Sequence, residues 1–158
     1  MTPLFDAHNH LQDARLLHRL PELLPSIQKS GVRHCIVNGT CQDDWPHVLA
    51  LAHRYPGLVQ PSLGLHPWKI ASRTSDWLER LKHHLDPQSG TVFLGECGLD
   101  RWIRNPHFEE QREIFTLQLA LAAEYDLPLS IHCLRAWGPL IEILRSNQCP
   151  ARGFLLHS

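Results

Sequence analysis

Apolar positions alternate between two spacings along the chain. The opening Pro3-Leu4-Phe5 leads into Asp6-Ala7-His8-Asn9-His10. Like it, Val32 to Asn38, Leu58 to Leu65, Thr91 to Leu94, Leu129 to His132 and Gly153 to His157 are short, apolar and bounded by Gly, Pro or polar residues, the pattern of strands. Between them apolar residues return every three or four positions, which predicts helices. Leu16, Leu20, Leu23, Leu24 and Ile27 form the first; Pro21 and Pro25 interrupt it and Gly31 stops it, so a broken or restarted helix is expected. Asp43 or Asp44 can cap a second, with Pro46 in its first turn, Val48, Leu51, Ala52 and Tyr55 inward, and Pro56-Gly57 at its end. Ser75 caps a third through Leu78, Leu81 and Leu85. Asn105-Pro106 opens the longest, with Phe108, Phe115, Leu119 and Ala122 on one face and Ile114, Leu117 and Leu121 beside them; Trp137 to Arg145 is the fifth.

Strand and helix alternate from end to end with short connections. That is a βαβ series, and it implies parallel strands with helices outside. In parallel barrels the active site lies at the carboxyl ends of the strands. Chemistry collects there in this chain: His8 and His10 end the first strand, His66 the third, Glu96 the fourth, His132 the fifth and His157 the sixth. A strand sends alternate side chains to one face, so His8 and His10 point together. Imidazole with carboxylate suits Zn, Mn, Fe or, with water, Mg. A glutamate can also join two ions, one on each oxygen, at the roughly 3.5–4 Å separation of paired-metal sites.

Composition narrows the reading. At 158 residues and 43% hydrophobic the chain suits one domain with a real core. A net charge of −1 without a basic run excludes a general nucleic-acid-binding surface. Twelve Arg against three Lys still favours bidentate phosphate contacts wherever Arg clusters. The cysteines (35, 41, 97, 133, 149) are odd in number and lack Cys-x-x-Cys spacing, which points to reduced thiols rather than a disulfide framework or thiolate zinc knuckle. No signal-type apolar region opens the chain, and no apolar run nears the roughly 20 residues of a membrane span. A soluble, cytoplasmic protein without a membrane partner is expected; the oligomeric state stays open.

The stretches Phe5 to Leu11, Leu63 to Pro67, Leu94 to Asp100, Gln111 to Leu121 with Leu127 to His132, and Gly153 to Ser158 together resemble the TatD family of metal-dependent deoxyribonucleases, among the amidohydrolase-like barrels. The resemblance covers the whole chain in order and approximate spacing. It implies an α/β fold, a TIM-type (β/α) barrel of which about six of eight strand–helix units are present, so that residues 1–158 form one domain lacking its C-terminal portion. It implies hydrolysis of phosphodiester bonds, with DNA ends or another phosphodiester as substrate, and two divalent metal ions (Mg, Mn or Zn). His8, His10 and Glu96 would hold the first ion, and Glu96, His132 and His157 the second. Asp6 would lie beneath the first ligand pair. Catalytic roles fall to Glu96 and to His66, the latter on substrate phosphate. Arg104 and Arg135 are further phosphate-contact candidates.

The chain departs from the family pattern in places. Trp68 stands where a second histidine is frequent, Arg101-Trp102 follows Asp100 where aromatic residues are usual, and Cys133-Leu134-Arg135-Ala136 replaces a frequent Ser/Thr-Arg-Asp/Glu-Ala. The eighth-strand motif, whose aspartate binds the first metal and activates the attacking water, has no counterpart: Asp100 follows strand four and Asp126 precedes strand five, outside the mouth. Strands one and six are then expected to be open edges. Two other readings compete. One is lactone, amide or phosphotriester hydrolysis, for which barrels of this kind often use a carboxylated lysine on strand four; Lys29, Lys69 and Lys82 all lie elsewhere, and Glu96 holds that place. The other is an inactive metal-binding fragment, because the last-strand aspartate is absent.

Overall fold

The computed structural model describes residues 2–85 and 92–158. Its strands are β1 (Leu4–Asn9), β2 (Val32–Asn38), β3 (Val59–Leu63), β4 (Phe93–Asp100), β5 (Leu129–Leu134) and β6 (Phe154–His157). They form one six-stranded sheet in sequence order, every neighbouring pair parallel. Helices α1 (Leu20–Lys29), α2 (Trp45–Arg54), α3 (Trp77–Leu85), α4 (Phe108–Glu124) and α5 (Trp137–Ser146) occupy the crossovers. The sheet curls into a nearly closed TIM-type barrel. The rings of His8 on β1 and His157 on β6 have centroids 3.9 Å apart, yet the two strands share no ladder and remain the edges. Leu4, Phe5, Phe154, Leu155 and Leu156 are exposed along those edges.

The central strands are apolar because both of their faces are covered. Leu63, Leu94, Leu99, Leu129 and Ile131 are almost wholly buried, and Trp45, Val48, Leu81, Phe115, Leu119 and Leu140 pack on them from the helices. Each such side chain adds about 1.5–3 kcal/mol by leaving water. Polar groups then fasten helices to strand ends. The Trp45 indole donates to the Gly64 carbonyl at 2.9 Å. Gln118 of α4 accepts from the Leu65 amide (2.8 Å) and donates to its carbonyl (3.1 Å). Two turns earlier on the same face of α4, Gln111 makes the same pair of bonds to the backbone of Asp100, at 2.7 and 2.9 Å. Two buried amides thus stand in for strand neighbours just where β3 and β4 reach the mouth.

Several boundaries differ from the sequence pattern. Pro25 lies inside α1 without breaking it; it is exposed, so the carbonyl it leaves unpaired can face water. Helix α4 starts at Phe108, with His107 rather than Asn105 at its N-cap, because Asn105 and His107 both adopt positive φ (55° and 46°). Leu117, expected beside the apolar face, is exposed. Asp44 is the N-cap of α2 but bonds no helix amide; its carboxylate takes the amides of Thr40 (2.9 Å) and Cys41 (3.2 Å) and so shapes the loop after β2. Strand β3 ends at Leu63, and Pro67–Ser72 is a 3₁₀ segment. Helix α3 begins at Trp77 rather than at a Ser75 cap. Thr91, the expected start of strand four, lies outside the described residues. That strand continues to Asp100.

Strand β4 approaches β5 so closely that side chains are excluded at two positions. A Cβ on Gly95 would sit 2.7 Å from the Ser130 carbonyl, and one on Gly98 would overlap the His132 carbonyl; both have positive φ (128° and 140°). Gly98→Ala is therefore expected to lower stability by about 3 kcal/mol or more, read as a fall in the urea midpoint. Gly57, at φ +80 with no atom within 4 Å of an added Cβ, should lose only the backbone penalty of about 1–2 kcal/mol on change to alanine. Equal losses at the two sites would contradict this account.

Candidate metal centre

Glu96 projects from β4 into the barrel mouth and is only 3% exposed. Its Oε2 lies 3.0 Å from His10 Nε2 and 3.4 Å from His8 Nε2. Its Oε1 lies 3.2 Å from His66 Nε2, 3.3 Å from His132 Nδ1 and 3.4 Å from His157 Nε2. Imidazoles from four strand ends thus surround one carboxylate. The two expected ligand sets, His8 with His10 and His132 with His157, face different oxygens of Glu96. His8, His10 and Oε2 form a compact triad, with the two Nε2 atoms 3.3 Å apart. Two further compact triads cut across the expected sets: His8, Glu96 and His157, and His66, Glu96 and His132, each with ligand atoms within 4.8 Å of one another.

The partner behind each ring decides which nitrogen can accept a cation. His10 Nδ1 is 2.8 Å from the Asn38 carbonyl. A carbonyl only accepts, so the neutral ring carries its proton on Nδ1 and turns the Nε2 lone pair to Glu96. His132 Nε2 is 3.1 Å from Asp100 Oδ2, which leaves the Nδ1 lone pair inward. His8 Nδ1 meets the Ser130 hydroxyl at 2.9 Å. His66 is the reverse case: its Nδ1 accepts the Trp68 amide at 3.1 Å, so its proton sits on Nε2 and points at Glu96. His66 therefore offers the site a donor, although it lies in one of the compact triads. His157 Nε2 is buried and has no hydrogen-bond partner.

Electrostatics follow the same contacts. Burial pushes the Glu96 carboxyl up, but contacts with His10, His132, His66 and His8, which donate to it when protonated, outweigh it and hold the group far below the carboxylate range. The bond to Glu96 raises His10. Burial lowers His132, and its bonds to Glu96 and Asp100 reverse that into a net rise. Burial lowers His66 and, with repulsion from His8, takes His157 down to about 4, so that ring is neutral near pH 7.

These residues fit a metal centre. Around an ion with ligands at roughly 2.1 Å, neighbouring donor atoms lie about 3.0 Å apart in an octahedron and about 3.4 Å apart in a tetrahedron. The contacts of Glu96 to its imidazoles fall in that interval, and a buried imidazole nitrogen without a partner is the atom a cation would satisfy.

Other expected residues stand elsewhere. Asp6 does not reach the imidazoles: its carboxylate takes the His8 backbone amide (3.2 Å) and the Asn9 side-chain amide (2.9 Å), which shapes the end of β1. Arg104 and Arg135 are exposed, and the Arg135 guanidinium stacks 3.8 Å from the centre of the Trp102 ring. Neither lines the cleft of about 900 Å³ that opens beside His10, His66, Trp68, Glu96 and His132. Asp100, expected outside the mouth, is instead fully buried within it. Burial raises its carboxyl, but bonds from the Trp68 indole (2.6 Å), the Trp102 amide (2.7 Å) and His132 prevail and keep it below its ordinary value. The signal for Asp100 was the alternation used for His8 and His10: Glu96, Gly98 and Asp100 share one face of β4. Asn38 and Ser130 carried no such mark.

The fold and site define a class: a TIM-type (β/α) barrel with a candidate metal centre of imidazoles gathered around one carboxylate at its strand ends. The chain is a member of the TatD-related DNase family, whose model matches residues 5–158. A 3′-5′ ssDNA/RNA exonuclease TatD of Yersinia pseudotuberculosis is 34% identical over 142 residues, covering 89% of this chain and 54% of that protein. An uncharacterized metal-dependent hydrolase of Escherichia coli K12, YjjV, is 36% identical over 131 residues, or 82% of this chain and 50% of that one. The crystal structure of the same TatD homologue superposes with a TM-score of 0.82 at 31% identity, covering 90% of this chain and 55% of that one. The chain spans about half the length of the curated relatives it matches.

Asp100→Ala removes the acceptor shared by Trp68, Trp102 and His132. The expected cost is about 2–3 kcal/mol. In a ¹⁵N imidazole spectrum, His132 should leave its single Nε2-protonated form. An unchanged His132 signal would show that another group fixes the ring.

Proposed function

We propose that this chain carries the centre of a metal-dependent hydrolase of phosphodiester bonds, acting on DNA ends and single strands. The observation that supports it most is the division of Glu96: each carboxylate oxygen faces its own set of imidazoles. In this reading His8 and His10 with Glu96 would hold one divalent ion, and His132 and His157 with Glu96 would hold a second, the ions being Mg, Mn or Zn. Bound there, the pair would polarise the phosphoryl oxygens and neutralise charge on the attacking and leaving oxygens of the displacement. The nucleic-acid substrate is proposed from the relatives named ssDNA/RNA exonuclease.

The remaining chemistry belongs to the chain. Glu96 keeps the two ligand sets in register. The Asn38 carbonyl, Ser130 hydroxyl and Asp100 carboxylate hold His10, His8 and His132 with the correct nitrogen inward. His66 turns its Nε2–H from Glu96 to a phosphate oxygen when substrate arrives, a charge-assisted bond. Arg104 and Arg135 add positive charge on the same rim for phosphates further along the strand.

Titration with Mn²⁺ should give a stoichiometry of about two per chain, and Glu96→Gln should weaken binding by about 100-fold or more. Release of nucleotides from an end-labelled single-stranded oligonucleotide should stop with EDTA and return with Mn²⁺. Hydrolysis that survives both Glu96→Gln and chelation would refute the proposal. His66→Ala should separate from the ligands: metal stoichiometry unchanged, KM raised about 10-fold. Loss of one ion in that variant would instead make His66 a ligand.

A further inference from the structure

Trp68 is 59% exposed, yet its polar end is pinned inside the protein. The indole N–H donates at 2.6 Å to Asp100 Oδ2, the same oxygen that lies 3.1 Å from His132 Nε2. The indole stands edge-on to His66 (centroids 5.0 Å apart, 82° between planes) and to His132 (6.2 Å, 75°). Its backbone amide sets the tautomer of His66. The ring is therefore a fixed wall of the cleft, beside the imidazole that points a donor into it. Another exposed indole, Trp102, is already covered by the Arg135 guanidinium at 3.8 Å; among the described residues no cation is stacked on Trp68. Of the aspartates that line the cleft, Asp13 pairs with Arg15 at 2.6 Å and Asp44 takes the Thr40 and Cys41 amides, while Asp43 is exposed.

From this geometry we infer that Trp68 is a base-stacking subsite: a nucleobase of the strand being cut lies on the open face of its indole while the adjoining phosphate meets His66. The inference rests on the proposed nucleic-acid substrate. Every base presents a π-face, so a rigidly held indole recognises an unpaired nucleotide without reading its sequence. A base in a duplex is already stacked on its neighbours and could not use it. Asp100 acts as a positioning residue, joining the indole to His132. The base that lies on Trp68 and the ring that faces Glu96 are thus held by a single carboxylate.

The test compares two labelled single-stranded oligonucleotides of equal length and charge, one carrying its bases and one abasic over its terminal nucleotides. Affinities are read by fluorescence anisotropy in EDTA, without turnover, for the wild-type chain, Trp68→Ala and Trp68→Phe. Wild type should bind the base-bearing strand about 10-fold tighter. Trp68→Ala should erase that preference and leave abasic binding unchanged, and Trp68→Phe, which keeps a ring, should retain most of it. A preference undiminished in Trp68→Ala overturns the inference. If Trp68→Ala binds both strands poorly, Trp68→Phe decides: a retained preference supports stacking, and a lost one makes Trp68 part of the wall only and overturns it. Hydrolysis is measured separately with Mn²⁺. Its failure counts against the hydrolase reading, while the affinity comparison stands by its own result.

Discussion

A carboxylate with almost no access to water is the constraint around which this structure is arranged. Burying the charge of Glu96 would cost several kcal/mol if it were left alone. Imidazoles from β1, β5, β6 and the segment after β3 surround it instead, at 3.0 to 3.4 Å. Bringing them there requires β4 to run against β5 with no side chain at Gly95 or Gly98. It also requires the strand ends to be fixed, which the buried amides of Gln111 and Gln118 do from α4.

Around that carboxylate one residue type takes two roles. A neutral imidazole has one donor and one acceptor nitrogen, and whichever group sits behind the ring selects the one that faces forward. A carbonyl behind His10 and a carboxylate behind His132 turn lone pairs to the centre; a backbone amide behind His66 turns a proton there. Rings that offer a lone pair and a ring that offers a proton can thus be told apart at nearly equal distances from Glu96. Asp100 extends the pattern to the cleft wall, since it orients His132 and Trp68 through one oxygen. The site has a supported core and an exposed aromatic margin.

Outside the centre the sheet keeps two unpaired edges bearing exposed apolar residues of β1 and β6. Their carboxyl ends nevertheless meet, through the rings of His8 and His157. The mouth is therefore more closed than the ladder, and the candidate ligands converge without a continuous ring of strands. Among the described residues no helix is long and apolar enough to cross a membrane.

Much of this was legible in the residues. The change of period between strands and helices, and the placing of His or Glu at successive strand ends, determined a parallel barrel with its chemistry at one rim, because local spacing dictates which side chains share a face. Even Asp100 lay within reach of that rule, two alternations beyond Glu96. Tertiary structure alone decided the tautomers, the start of α4 at Phe108 and the bonding of Asp6 to the backbone and Asn9 rather than to the imidazoles. It also decided the joining of Trp68 to His132. The reason is distance along the chain: the bonds that choose a nitrogen or pin a ring link His8 to Ser130, His10 to Asn38, and both Trp68 and His132 to Asp100. No local spacing encodes which of several polar groups will stand behind a side chain once the strands have closed.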